Sequence, residues 1–173
     1  MIIKENVFRD LEVKAEECLN HCMQEVYIDF PEYAELSVFL GCLRGLGIMQ
    51  HSHHWQTKGK TSYGDHLLFE RIYKHIEEDV DTLGEKVVGL GCVDQTNYFK
   101  QLKIIQNFLS NNTSKDSYQM VGYASTCMVI ALGKVVMNLL EEKELLTPGL
   151  EQCIGNILDR LETDIYLLKQ RIS

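Results

Sequence analysis

Apolar residues recur along most of this chain at spacings of three and four, the period of a helix buried on one side. From about Asn6 to Ile28, Val7, Leu11, Cys18, Leu19, Cys22 and Val26 keep that rhythm and predict a first amphipathic helix. Asp29 and Pro31 mark a break, and proline suits the first turn of a new helix. The second helix, Pro31 to about Thr57, carries Leu36, Phe39, Leu40, Leu43, Leu46 and Met49. Gly41, Gly45 and Gly47 fall inside it, each costing roughly 1 kcal/mol against alanine. The expected return is close approach of a neighbouring element. Gly59 is the expected terminator. The third helix, about Ser62 to Leu90, has an apolar stripe of Leu67, Ile72, Ile76, Val80, Leu83 and Val87. At 1.5 Å per residue it is roughly 45 Å long.

Residues 92–116 read as a connector holding a short helix, Asn97 to Leu109, punctuated by Asn111, Asn112, Thr113 and Ser114. The next helix, about Ser117 to Glu142, is apolar nearly all round and is expected to be buried. Thr147 and Pro148 form an N-cap and first-turn pair for the last helix. There Leu150, Ile154, Ile157, Leu158, Leu161, Ile165 and Leu168 maintain the pattern. Four long helices with one longer crossover in their middle predict an all-α, ferritin-like four-helix bundle over residues 31–173. A short helix lies in the crossover, and an extra N-terminal helix occupies residues 1–30.

Composition narrows the chemistry. Seventeen Lys and Arg stand against 25 Asp and Glu, and the net charge of −8 disfavours contact with phosphate backbones. Six cysteines include no Cys-x-x-Cys pair and lie in apolar helical stretches, so they read as reduced and structural. The N-terminus has no apolar signal core, and the longest uncharged run, Ser117 to Gly133, falls short of a clean membrane span. The expectation is a cytoplasmic protein without membrane contact.

Candidate ligands concentrate between Gln50 and Gly91. His51, His53, His54 and Trp55 end the second helix, and His66, Glu70, Asp81 and Glu85 follow on the third. At about 100° per residue the last four fall within an arc of roughly 100°. His66 and Glu70 are one turn apart, as are Asp81 and Glu85, so each pair could grip an ion. About 16 Å of helix separates the pairs, whereas metal bonds to nitrogen and oxygen run near 2.0–2.2 Å. One ion cannot take both pairs of one helix. Two copies packed antiparallel about a two-fold axis would set the first pair of one against the second pair of the other, giving two sites per dimer. His54 could close the first half. Two imidazoles and three carboxylates suit iron better than calcium, whose ligands are all oxygen. The alternative is an ordinary solvated acidic face, and Glu77, Glu78 and Asp79 read that way.

These residues resemble the Dps family, the mini-ferritins. Its signature is a His-Trp pair at the end of the first bundle helix, with a second His twelve residues on and an acidic residue one turn later. A later Asp-x-x-x-Glu precedes a closing Leu-Gly. His54-Trp55, His66, Glu70, Asp81, Glu85 and Leu90-Gly91 hold those positions. The resemblance is dense from about Leu43 to Gly91 and extends more weakly over most of residues 31–173. It implies an inter-subunit ferroxidase centre with His54, His66 and Glu70 from one subunit and Asp81 and Glu85 from its mate. It also implies a hollow dodecamer built from two-fold dimers that stores ferric mineral. Hydrogen peroxide would be the oxidant, protecting against oxidative stress, with Trp55 against the site as a possible electron donor.

Departures from the family pattern are Glu70 where Asp is usual, Ser62-Tyr63 where an aromatic pair is common, and the additional His51 and His53. Absence of Glu-x-x-His on the third helix argues against the single-bundle site of larger ferritins. Two other functions stand beside this one. Nucleoid binding would need a Lys-rich tail, whereas Lys4, Arg9 and Lys14 lie in or beside a helix and Lys169 and Arg171 are few, so direct DNA binding is not expected. A helical shell without ferroxidase activity is opposed by five ligand-capable side chains standing together.

Overall fold

The structure, a computed structural model, describes residues 5–26, 32–114 and 116–172. Among the described residues, six α-helices run in order: α1 (Glu5–Val26), α2 (Ala34–Gln56), α3 (Ser62–Gly89), α4 (Tyr98–Asn111), α5 (Tyr118–Glu142) and α6 (Pro148–Ile172). A 3-10 turn, Val93–Thr96, precedes α4. The expected break at Asp29 and Pro31, Ile28 and Lys4 lie outside the described residues, as do the side chains of Val7 and Val26.

Helix ends follow the predicted chemistry. Asn97 Oδ1 accepts from the Phe99 and Lys100 amides, Ser117 Oγ from Met120, and Thr147 Oγ1 from Leu150. Each satisfies an amide that has no partner within its own helix. Gly91 at φ 83° takes the left-handed backbone that closes the third helix at little steric cost, whereas the second helix ends before the expected Gly59, leaving at Thr57 in extended backbone, and Gly59 at φ 92° lies in the turn into the third.

α2 is the centre of the bundle, with 17 of its 23 residues buried. It packs against α1, α3, α4 and α5, while α6 packs on α5 and α3. The glycines account for this position. A Cβ on Gly41 would stand 2.5 Å from Ile104, and one on Gly45 would stand 2.7 Å from Phe108, both on α4. On the other side, a Cβ on Gly47 would meet Ile76 of α3 at 3.0 Å. The close approach expected of these residues is present, and it comes from the neighbours' side chains. α1 contributes Ala15, Leu19, Cys22 and Met23 to the same core. α5 is long and apolar enough to cross a membrane by composition, and most of that apolar surface is buried within the bundle.

Two assignments on α3 need correction. Leu67 is 45% exposed, and Phe69, two residues on, fills the core instead. Asp79 is not part of a solvated face: it is 1% exposed. Arg160 of α6 clamps it through Nε (3.1 Å) and Nη2, and His75 approaches it at 3.5 Å. Glu77 and Glu78 are exposed as expected.

Candidate metal half-sites

The α2–α3 turn brings the His54 and His66 rings into a stack with centroids 3.7 Å apart. His54 Nδ1 lies 2.9 Å from the main-chain oxygen of His66, and His66 Nδ1 lies 3.0 Å from that of His54. A carbonyl oxygen only accepts, so each Nδ1 carries the hydrogen and donates. Nε2 is then the ring nitrogen of each that is not committed to this pair of bonds. Ligating histidines are characteristically held in this way, with one ring nitrogen donating to a carbonyl and the other left for the metal.

Glu70 completes this half one turn below His66. Its Oε1 accepts from Lys74 Nζ at 2.6 Å. That hydrogen bond, followed by the charge on Lys74 and then His54 and His66, holds the Glu70 carboxyl below its usual range. It stays ionised, but with a cation already on one oxygen. Nearby Asp65 is buried, with Thr61 Oγ1 donating to it at 2.8 Å and Arg171 Nε at 2.7 Å. Burial alone would raise its pKa, and these two donors hold it low instead. They pin the start of α3 to the end of α6, and Arg171 is thereby committed to the fold.

The other histidines divide. His53 points inward against Phe69 and Tyr118, and burial pulls its pKa down to about 4. It is a neutral core residue. His51 stacks on Tyr73 at 3.9 Å and lies 4.3 Å from the Trp55 ring. Tyr73 also meets His54 edge-on at 5.4 Å. Trp55 is 69% exposed and meets its own chain at the His51 ring. Tyr73 and Lys74 are not singled out by any sequence motif. A signal for them exists, since both follow His66 by the seven or eight residues that return a helix to the same side.

Asp81 and Glu85 lie far along α3 at an open recess of about 550 Å³, lined also by Leu40, Arg44, Val80 and Val88. Both carboxylates are exposed. Among the described residues, no three His, Cys, Asp or Glu side chains of one chain come close enough to hold an ion. The structure thus brings His54, His66 and Glu70 to one locality and leaves Asp81 and Glu85 at another. Apolar surface borders both. Ile48, Trp55, Tyr63 and Leu67 are exposed around the histidine half, and Val88, Val93, Tyr98, Phe99 and Leu102 around the carboxylate half and the adjoining face of α4.

No family description matches the chain, and no curated protein does. Solved structures do match in shape, among them a Dps protein from Vibrio cholerae O1, described as a member of a broad superfamily of ferritin-like diiron-carboxylate proteins. The TM-score is 0.67 at 15% identity, covering 94% of this chain and 92% of that one. The chain therefore has the ferritin-like helical bundle fold.

Proposed function

We propose that two copies of this chain pair about a two-fold axis, so that His54, His66 and Glu70 of one face Asp81 and Glu85 of the other, and that ferrous iron is oxidised there. The observation that carries this reading is the reciprocal pair of Nδ1 hydrogen bonds between stacked rings, which commits Nδ1 of each and leaves Nε2 as the nitrogen for an ion. A packing or surface role for two histidines does not require that arrangement. The ferritin-like fold and the apolar surfaces beside both half-sites support it.

Iron is the substrate. The two Nε2 atoms and the Glu70 carboxylate receive it from one side, and Asp81 and Glu85 supply negative charge from the other. The carboxylates stabilise the higher charge of the ferric product. Two ferrous ions give one electron each to one hydrogen peroxide, whose O–O bond breaks and whose oxygens leave as water or hydroxide. Paired two-electron reduction avoids release of hydroxyl radical. His51, Tyr73 and Trp55 form an aromatic bank beside the site through which an electron could be supplied. The ferric product collects as mineral inside a hollow dodecamer.

Ferrous iron and peroxide added to the purified protein should give a soluble, protein-bound ferric absorbance, with an assembly near 240 kDa, twelve times the 19.9 kDa chain. Equal oxidation by a His54→Ala/Asp81→Ala double variant overturns the site, and a monomer removes it.

A further inference from the structure

Two features of the surface have complementary shapes and lie at opposite ends of the α2–α3 pair. Trp55, the chain's single tryptophan, ends α2 with 69% of its surface exposed. Its ring meets the His51 ring at 4.3 Å and otherwise projects from the bundle beside the histidine half. The recess that holds Asp81 and Glu85 is about 550 Å³, with Leu40, Val80 and Val88 as apolar lining. Gly84 and Gly89 also line it, and a Cβ added to either would meet nothing within 4 Å.

We propose that, in the two-fold pair, Trp55 of each chain fills the recess of its mate. This rests on the pairing proposed above and names the contact that anchors it. Register supplies the first argument. The pairing sets His54 of one chain against Asp81 and Glu85 of the other, and those carboxylates line the recess. Trp55 follows His54 directly, with its Cα about 3.8 Å from that of His54. The segment that must reach the recess therefore brings the indole with it.

Size and charge agree. Pockets of about 300–1,000 Å³ take molecules larger than an indole. A buried indole N–H needs an acceptor. Asp81 and Glu85 have oxygen lone pairs beyond those an ion would take. Packing the recess on the same recess of a second chain would instead crowd four like charges. Aromatic side chains seated in pockets are also the groups that carry most of an interface's binding energy.

Because Trp55 is the sole tryptophan, fluorescence reads this contact alone. The metal-free full chain is sized by sedimentation, and its emission is compared with N-acetyltryptophanamide, with and without acrylamide. The assembled protein should emit at shorter wavelength and lose most of its quenching. Gly84→Leu puts a side chain into the recess at a helical position that has room for it and favours leucine. The variant should melt like the unaltered chain, expose the indole to acrylamide and sediment as smaller species. An assembly whose indole is quenched as freely as the amide overturns this proposal and leaves the pairing standing. Gly84→Leu with an indole still protected also overturns it. A chain that stays monomeric overturns both, and sedimentation alone identifies that case. If Gly84→Leu fails to fold, quenching of the unaltered assembly decides.

Discussion

His54 and His66 fix each other: the Nδ1 of each donates to the other's main-chain oxygen, at 2.9 and 3.0 Å, while their rings stack at 3.7 Å. The end of α2 and the start of α3 are thus tied by the same two side chains that are proposed to present nitrogen to an ion. Replacing either should cost metal binding and local order together. His66→Ala is expected to weaken ferrous binding by at least about 10-fold and to reduce stability by about 1 kcal/mol for the lost hydrogen bond. Anaerobic titration calorimetry and a thermal melt measure the two effects.

Lys74 donates to Glu70 at 2.6 Å, and on the proposed function it competes with iron for that carboxylate. Lys74→Met should tighten ferrous binding, and it should lessen the salt dependence of that binding, because an exposed ammonium held to the carboxylate is a screened interaction. Titrations at two salt concentrations check this. Weaker binding in the variant would mean that Lys74 orients Glu70 rather than blocking it.

His75 gives the fold a pH dependence of predictable sign. Burial would lower its pKa, but hydrogen bonds with Asp164 (2.6 Å) and Asp79 carry it up from 6.5 to about 9. A raised folded-state pKa contributes stability that is fully present below about 6.5 and is lost as pH rises through about 9. Burial pushes Asp164 up, which offsets part of the gain. The net loss between pH 6.5 and 9.5 should be on the order of 2 kcal/mol, read from thermal melts. His75→Gln should flatten that part of the profile.

Gly45→Ala tests the α2–α4 contact. The new methyl would press on Phe108 at 2.7 Å, and overpacking of this kind costs about 1–3 kcal/mol. Displacing Phe108 should also move α4, which carries the exposed Tyr98, Phe99 and Leu102. Denaturant melts and sedimentation of the variant check both effects.

Local chemistry makes much of the fold legible in the sequence. The caps at Ser117 and Thr147, the terminating Gly91, and the stripes of α3 and α6 are all properties of short stretches. Pairings across the chain are not legible in that way. Asp79 looks like its exposed neighbours Glu77 and Glu78 because its partner, Arg160, lies 81 residues away. A clue does exist in α6, where Asp164 stands three residues after Leu161 and four before Leu168, in a core position of the stripe. A carboxylate there requires a buried partner, and His75 is it. The half-sites are legible as residue types at helical spacing. The reciprocal Nδ1 bonds are not, because they depend on how the turn between α2 and α3 closes.

Mixed assemblies test the central claim most directly. One chain carries His54→Ala and His66→Ala, and the other carries Asp81→Ala and Glu85→Ala. Each alone should lack rapid iron oxidation. Co-assembled as a two-fold pair, they regenerate one complete site from the intact histidine half of one chain and the intact carboxylate half of the other, while the second site loses both halves. Sites divided between subunits therefore predict recovered iron oxidation in mixtures shown to co-assemble. No recovery in a verified mixed assembly, or full activity in either variant alone, would contradict the account.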